Sequence, residues 1–99
     1  MEWDVFCSQI KKEIRMSSKA QLVGTSLVLT EDAGTIVYEK YGNVLRRRVN
    51  NTGHEVLLQN VSEVNFSIMP NTVRVTVKDL YRRDYTVNVY SFLDWNGAQ

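Results

Sequence analysis

Residues 35–66 read TIVYEKYGNVLRRRVNNTGHEVLLQNVSEVNF, and how this stretch divides decides the fold. Residues 35–41 are β-branched and aromatic, Gly42-Asn43 supplies a tight turn with easy positive φ, and Val44–Val49 returns; this predicts a hairpin. Residues 50–53, Asn-Asn-Thr-Gly, read as the next turn. Residues 55–61 then give a short strand with Val56 and Leu58 on one side and Leu57 and Gln59 on the other, and a further strand starts at Val64.

Working outward, apolar residues upstream fall at Trp3, Phe6, Cys7, Ile10 and Ile14, steps of three and four that lay one stripe along a helix. Glu2 and Asp4 near its start and Lys11, Lys12 and Arg15 near its end match the helix dipole, and Ser17-Ser18 is a plausible stop. Residues 20–30 read as two short strands or one bent strand around Gly24-Thr25, and residues 31–34 as a turn. Downstream, Val64, Phe66 and Ile68 alternate with Asn65, Ser67 and Met69; Pro70-Asn71 turns. Val73, Val75 and Val77 then alternate with Arg74, Thr76 and Lys78, the cleanest period of two in the chain. Arg82-Arg83-Asp84 turns again, residues 85–92 return, and residues 94–99 read as a loose tail.

Short turns forbid parallel crossovers, which need about a dozen residues or more. The expectation is therefore an α+β domain in two layers, an N-terminal α-helix packed on an antiparallel β-sheet. Residues 1–17 supply the helix, residues 18–99 the sheet, and Trp3, Phe6, Ile10 and Ile14 the contact between them. Trp3 stands at the extreme end of the stripe, where a sheet need not reach it and a partner can.

At 99 residues the chain makes one domain. Twelve basic against 11 acidic residues leave a net charge of +1, so no global field recruits nucleic acid or anionic membrane. The single Cys7 forms no intrachain disulfide. No apolar run approaches the roughly 20 residues of a membrane span. No signal peptide is visible, and the abrupt start on a helical pattern reads as a helix whose first half is missing.

Catalytic chemistry finds little footing. His54 is the single histidine, with no second soft or imidazole ligand in a metal-binding spacing and no activated Ser or Cys beside it in sequence. Cys7 lies on the helix stripe, where a small buried hydrophobe is the ordinary role. The reading is no catalytic residue, no metal and no cofactor. Arg46-Arg47-Arg48 is the conspicuous charge run, but in a strand Arg46 and Arg48 share a face with Val44 while Arg47 points with Leu45 and Val49. Glu39, Glu55, Glu63 and Asp79 are available as cross-strand partners, at roughly 0.2–1 kcal/mol a pair. Arg46, Arg48 and His54 are the candidate surface for a protein partner or for DNA, with strand tyrosines as possible stacking groups.

The run VLRRRVNNTGHEVLLQNV, with EWDVFCSQIKKEI ahead of it and YTVNVYSFL behind, resembles the ComGF family, minor pseudopilins of the competence (DNA-uptake) pilus of Gram-positive bacteria. The resemblance falls on Arg46, Arg47, Arg48, Val49, Gly53, His54, Leu57 and Leu58, and on residues 89–92; Asn50-Asn51 stands where an Asp-Gly-like turn is usual. It implies a type IV pilin-like fold, in which the first half of a long helix anchors in the membrane and the second half packs on an antiparallel sheet. The head would then lie outside the cytoplasmic membrane, at the cell surface. It also implies a structural role in pilus assembly, other competence pseudopilins, major and minor, as partners, and Gly53 and His54 as shapers of a surface turn. The cleavage and methylation motif of such proteins does not occur in this sequence. Two other readings stay open: a DNA-binding module on the basic strand, and a minor pseudopilin of a type II secretion-like system. An enzyme would need a concave site that the sequence does not supply.

Overall fold

A computed structural model describes residues 2–91. Helix α1 (Trp3–Met16) ends where Ser17 turns extended, and the Ser17 hydroxyl donates to the Glu13 carbonyl at 2.6 Å. Five strands follow as an antiparallel meander: β1 (Lys19–Val23), β2 (Ser26–Glu31), β3 (Gly34–Tyr41), β4 (Val44–Val49) and β5 (Thr52–Leu58). A second meander holds β6 (Val61–Met69), β7 (Thr72–Asp79) and β8 (Asp84–Tyr90). Asparagine does much of the turning, with Asn50, Asn51, Asn60 and Asn71 all left-handed, a conformation its short polar side chain tolerates. Gly34 is needed for a different reason: a Cβ there would collide with the Asn50 side chain, whose Oδ1 accepts the Thr35 N–H at 2.9 Å.

The expectation of a pilin-like α+β fold, one helix on one antiparallel sheet, is corrected here. The described residues are mostly β, with eight strands in two antiparallel sheets and one short N-terminal helix. The reason is area. Eight strands about 4.8 Å apart would form a sheet roughly 35–40 Å wide, whereas a helix is only about 10–12 Å across. One helix cannot cover such a face, so the strands divide and the two apolar faces help to cover each other.

The division falls after β5. The Val61 N–H bonds the Asn43 carbonyl at 2.8 Å, in the β3–β4 turn, rather than β5. From there β6 crosses the end of the first sheet and passes Leu22, Gly24 and Thr25 at the β1–β2 turn. Val61 therefore opens β6 and does not close the preceding strand, and Thr52 and Gly53 belong to β5 rather than to a turn. Val56 and Leu58 do not share a side either. Leu58 pairs with Leu45 and Val56 with Arg46, so an extra residue at Leu57 makes a bulge that reverses the alternation.

The core lies between the sheets and the helix. Leu27, Leu29, Ile36, Tyr38, Leu45 and Leu58 come from the first sheet; Phe66, Val73, Val75, Val77 and Val89 come from the second. Phe6, Ile10 and Ile14 of α1 are buried among them, and Trp3 is partly buried, its ring 5.3 Å from Phe6 and 5.4 Å from Tyr85 of β8. At the other end of α1, Arg15 Nε approaches the Tyr90 carbonyl at 3.5 Å, so helix and β8 run side by side in the same direction. Phe92 and residues 94–99, read above as strand end and tail, lie outside the described residues.

Phe6 is 1% exposed and meets Tyr38 edge-on at 6.4 Å. Phe6→Ala should cost roughly 3–5 kcal/mol, the sum of lost transfer energy and an unfilled cavity. Urea unfolding measures it, and an unchanged midpoint would refute the docking of this helix.

Candidate functional site

The three arginines of β4 divide between the two faces of the first sheet, and each is engaged differently. Arg47 faces inward beside Tyr38, its cross-strand neighbour on β3. Its Nε and Nη2 donate to both oxygens of Glu13 on α1, at 2.6 and 3.0 Å, and Tyr38 Oη donates to the same carboxylate at 2.5 Å. Such a bidentate, mostly buried pair is strongly directional. Burial alone would raise the Glu13 pKa, but the bonds from Arg47 and Tyr38 outweigh it and hold the carboxyl below its usual range. For Tyr38, burial and the neighbouring carboxylate push the hydroxyl up, so it stays a donor.

Glu31, at the end of β2, completes the cluster. Its pKa is raised by burial, by a hydrogen bond to Glu13 and by the Glu13 charge. Its Oε2 is buried with no partner among the described residues, an unfavourable place for a bare carboxylate. Protonation of Glu31 would remove that cost, since a carboxylic acid can donate toward Glu13.

Arg46 and Arg48 face outward. The Arg46 guanidinium donates to Glu39 Oε2 from Nε and Nη2 at 2.8 and 2.7 Å and lies 3.9 Å from the Tyr41 ring centroid. Its Nη1 is 3.2 Å from His54 Nδ1, so the histidine accepts there and carries its proton on Nε2. The His54 ring in turn meets Tyr41 edge-on at 5.6 Å. Arg48 donates to the Asn51 carbonyl and stands 3.9 Å from Glu39. Arg46, Arg48 and His54 are thus brought to one face, but the guanidinium charge there is largely answered within the sheet.

Cys7 is half-buried and its thiol pKa is pushed up mainly by burial, which disfavours the reactive thiolate. No group of three or more His, Cys, Asp or Glu residues among the described residues is placed to hold a metal ion. Nor is any helix among them long and apolar enough to cross a membrane. Exposed apolar side chains lie instead at Val5 and Met16 on the outer face of α1, at Leu22 and Val23 on edge strand β1, and at Leu80 and Tyr81 between β7 and β8.

A family model described as "Putative Competence protein ComGF" matches residues 1–85. The chain belongs to the ComGF family. That match takes in α1, both β4 and β5 with their arginines and histidine, and the second sheet as far as the start of β8. No match was found among curated proteins or among solved structures.

Sequence reading found the outward trio but not the inward one. Glu13 sits 34 residues before Arg47, and nothing local links them. The available signal was an arginine on the apolar side of a strand, which demands a buried carboxylate somewhere.

Two outcomes follow from the cluster. Arg47→Met leaves Glu13 buried without its main partner and should cost about 3 kcal/mol, the low end for a broken buried pair because the site is partly exposed; urea unfolding measures this. Glu31, raised when folded, adds stability below its ordinary value near 4.3 that is lost as pH rises through its folded value. Glu13, lowered when folded, adds stability above that value and loses it as pH falls. Glu31→Gln, which donates to Glu13 without a proton to lose, should therefore gain in Tm over the unsubstituted protein as pH rises from about 4 to 7. A constant difference across that range would count against the shared proton.

Proposed function

We propose that this chain is a structural subunit of the competence pilus, a minor pseudopilin that acts in DNA uptake through contacts with other competence pseudopilins, major and minor. The observation that carries the reading is the ComGF family match over residues 1–85. The same reading places the domain at the cell surface, outside the membrane of a Gram-positive bacterium, behind an anchoring helix. It does not depend on a pilin-like fold.

The surface is consistent with a protein partner. Apolar side chains stand exposed on the helix and on edge strand β1, and exposed apolar groups of this kind are what protein interfaces use. The basic strand supports DNA contact less well. Arg46 and Arg47 are bonded to Glu39, Glu13 and Glu55, so few counterions remain to be released on binding a phosphate backbone.

Deleting the gene in the bacterium that encodes it should reduce transformation to background, with the wild-type gene restoring it. Transformation at the parental level after deletion would overturn the proposal. The purified domain should bind a labelled duplex weakly and with a shallow salt dependence. Tight binding that collapses with salt and with Arg46→Ala or Arg48→Ala would favour the DNA reading instead.

A further inference from the structure

We propose that the loop joining β7 to β8, Leu80-Tyr81-Arg82-Arg83, is a pre-organised docking tip that seats in an apolar socket rimmed by carboxylates on a protein partner. The proposal rests on the protein-contact reading above and assigns it a surface. Other hairpins here reverse on small or polar residues: Gly24-Thr25, Gly42-Asn43, Asn50-Asn51 and Pro70-Asn71. This one instead holds Leu80 at 47% and Tyr81 at 70% exposure. Large apolar side chains displayed to solvent on a turn forgo much of the burial that would stabilise the domain.

The loop is also held rigid. Asp79, only 1% exposed, accepts from the Tyr81 and Arg83 N–H groups at 2.9 Å each, from Arg83 Nε at 3.0 Å and from Tyr85 Oη at 3.2 Å. Burial works against its charge, yet these bonds hold the carboxyl below the usual range. The Leu80 N–H is pinned to the Asn60 carbonyl at 2.9 Å, and Arg83 lies over the Tyr81 ring at 5.4 Å. A fixed aromatic beside arginine is the composition of binding hot spots, and fixing it beforehand lowers the entropy lost on docking.

Arg82 identifies the partner's chemistry. It has a left-handed backbone, φ 67°, where the four other non-glycine positions of this kind among the described residues carry asparagine and where glycine would relieve strain. Arg83 is paired with Asp79, and Lys78 stands between Glu63 and Asp84. The Arg82 guanidinium has no ion pair among the described residues, which leaves it to meet a carboxylate. One free guanidinium is a small footing for an anionic bilayer or for DNA, both of which are held by several.

The test compares Tyr81→Ser, Arg82→Glu and Arg82→Gly, each replacing the gene in the bacterium that encodes it, with a deletion strain. All three should lower transformation by at least about tenfold, the loss expected of a hot-spot residue. Protein level should hold, and the purified Arg82→Gly domain should melt no lower than the unsubstituted one. A photo-crosslinker at position 81 should join the protein to a competence pseudopilin, and Arg82→Glu should remove that adduct. If the variants transform normally while the deletion strain does not, the tip is not the docking surface and the pilus reading stands. A deletion strain that transforms normally overturns both. Co-sedimentation of the domain with anionic phospholipid vesicles, lost with Tyr81→Ser, would assign the tip to lipid and overturn the protein socket.

Discussion

The bond between Glu13 and Arg47 fixes where the helix lies. Apolar contact is nearly indifferent to small slides of a helix over a sheet, but a two-toothed guanidinium–carboxylate bond with a tyrosine on the same oxygen is not. With Glu13 held above β3 and β4, the stripe of Phe6, Ile10 and Ile14 is aligned over the gap between the sheets. Trp3 then reaches Tyr85, and Arg15 reaches the end of β8. The cost is a charged cluster taken from water, and burial and the Glu13 charge push the neighbouring Glu31 carboxyl above its usual range.

The functional consequence concerns the basic strand. Three consecutive arginines look like a site for phosphate, and alternation already weakens that reading by putting Arg47 on the other face. The structure adds that the carboxylates of Glu13, Glu39 and Glu55 take up much of what remains. What stays available for recognition includes the exposed apolar and aromatic side chains on α1, on β1 and between β7 and β8. That suits the protein-contact role proposed above for this member of the ComGF family.

Much of the local structure was legible. The helix follows from spacing, strand β7 from the alternation of Val73, Val75 and Val77, and most turns from Gly, Asn and Pro, but the division into two sheets does not. Three features were hidden, each for a physical reason. The bulge at Leu57 has no compositional mark, so counting by twos beyond it gave the wrong faces. The break between β5 and β6 is a two-residue connection that looks like any hairpin turn, yet the chain leaves the sheet there. The Glu13–Arg47 bond is a long-range pairing that a single sequence does not announce. Of the surface features, Tyr81 lay in plain view, but a tyrosine beside two arginines reads as turn until Asp79 is seen buried beneath it.

Both sheets are meanders, so each strand pairs with its sequence neighbour and most β contacts are local. Local contacts close small loops and form early. The helix is the exception: although it comes first, its partners lie on β2, β3, β4 and finally β8, at the far end of the described chain. Its packing is therefore complete only once β8 is in place beside it. Without β8, Trp3 would lack its Tyr85 neighbour and the helix its contact along that strand. In a domain built this way the last described strand and the helix at the opposite end of the sequence close the core together.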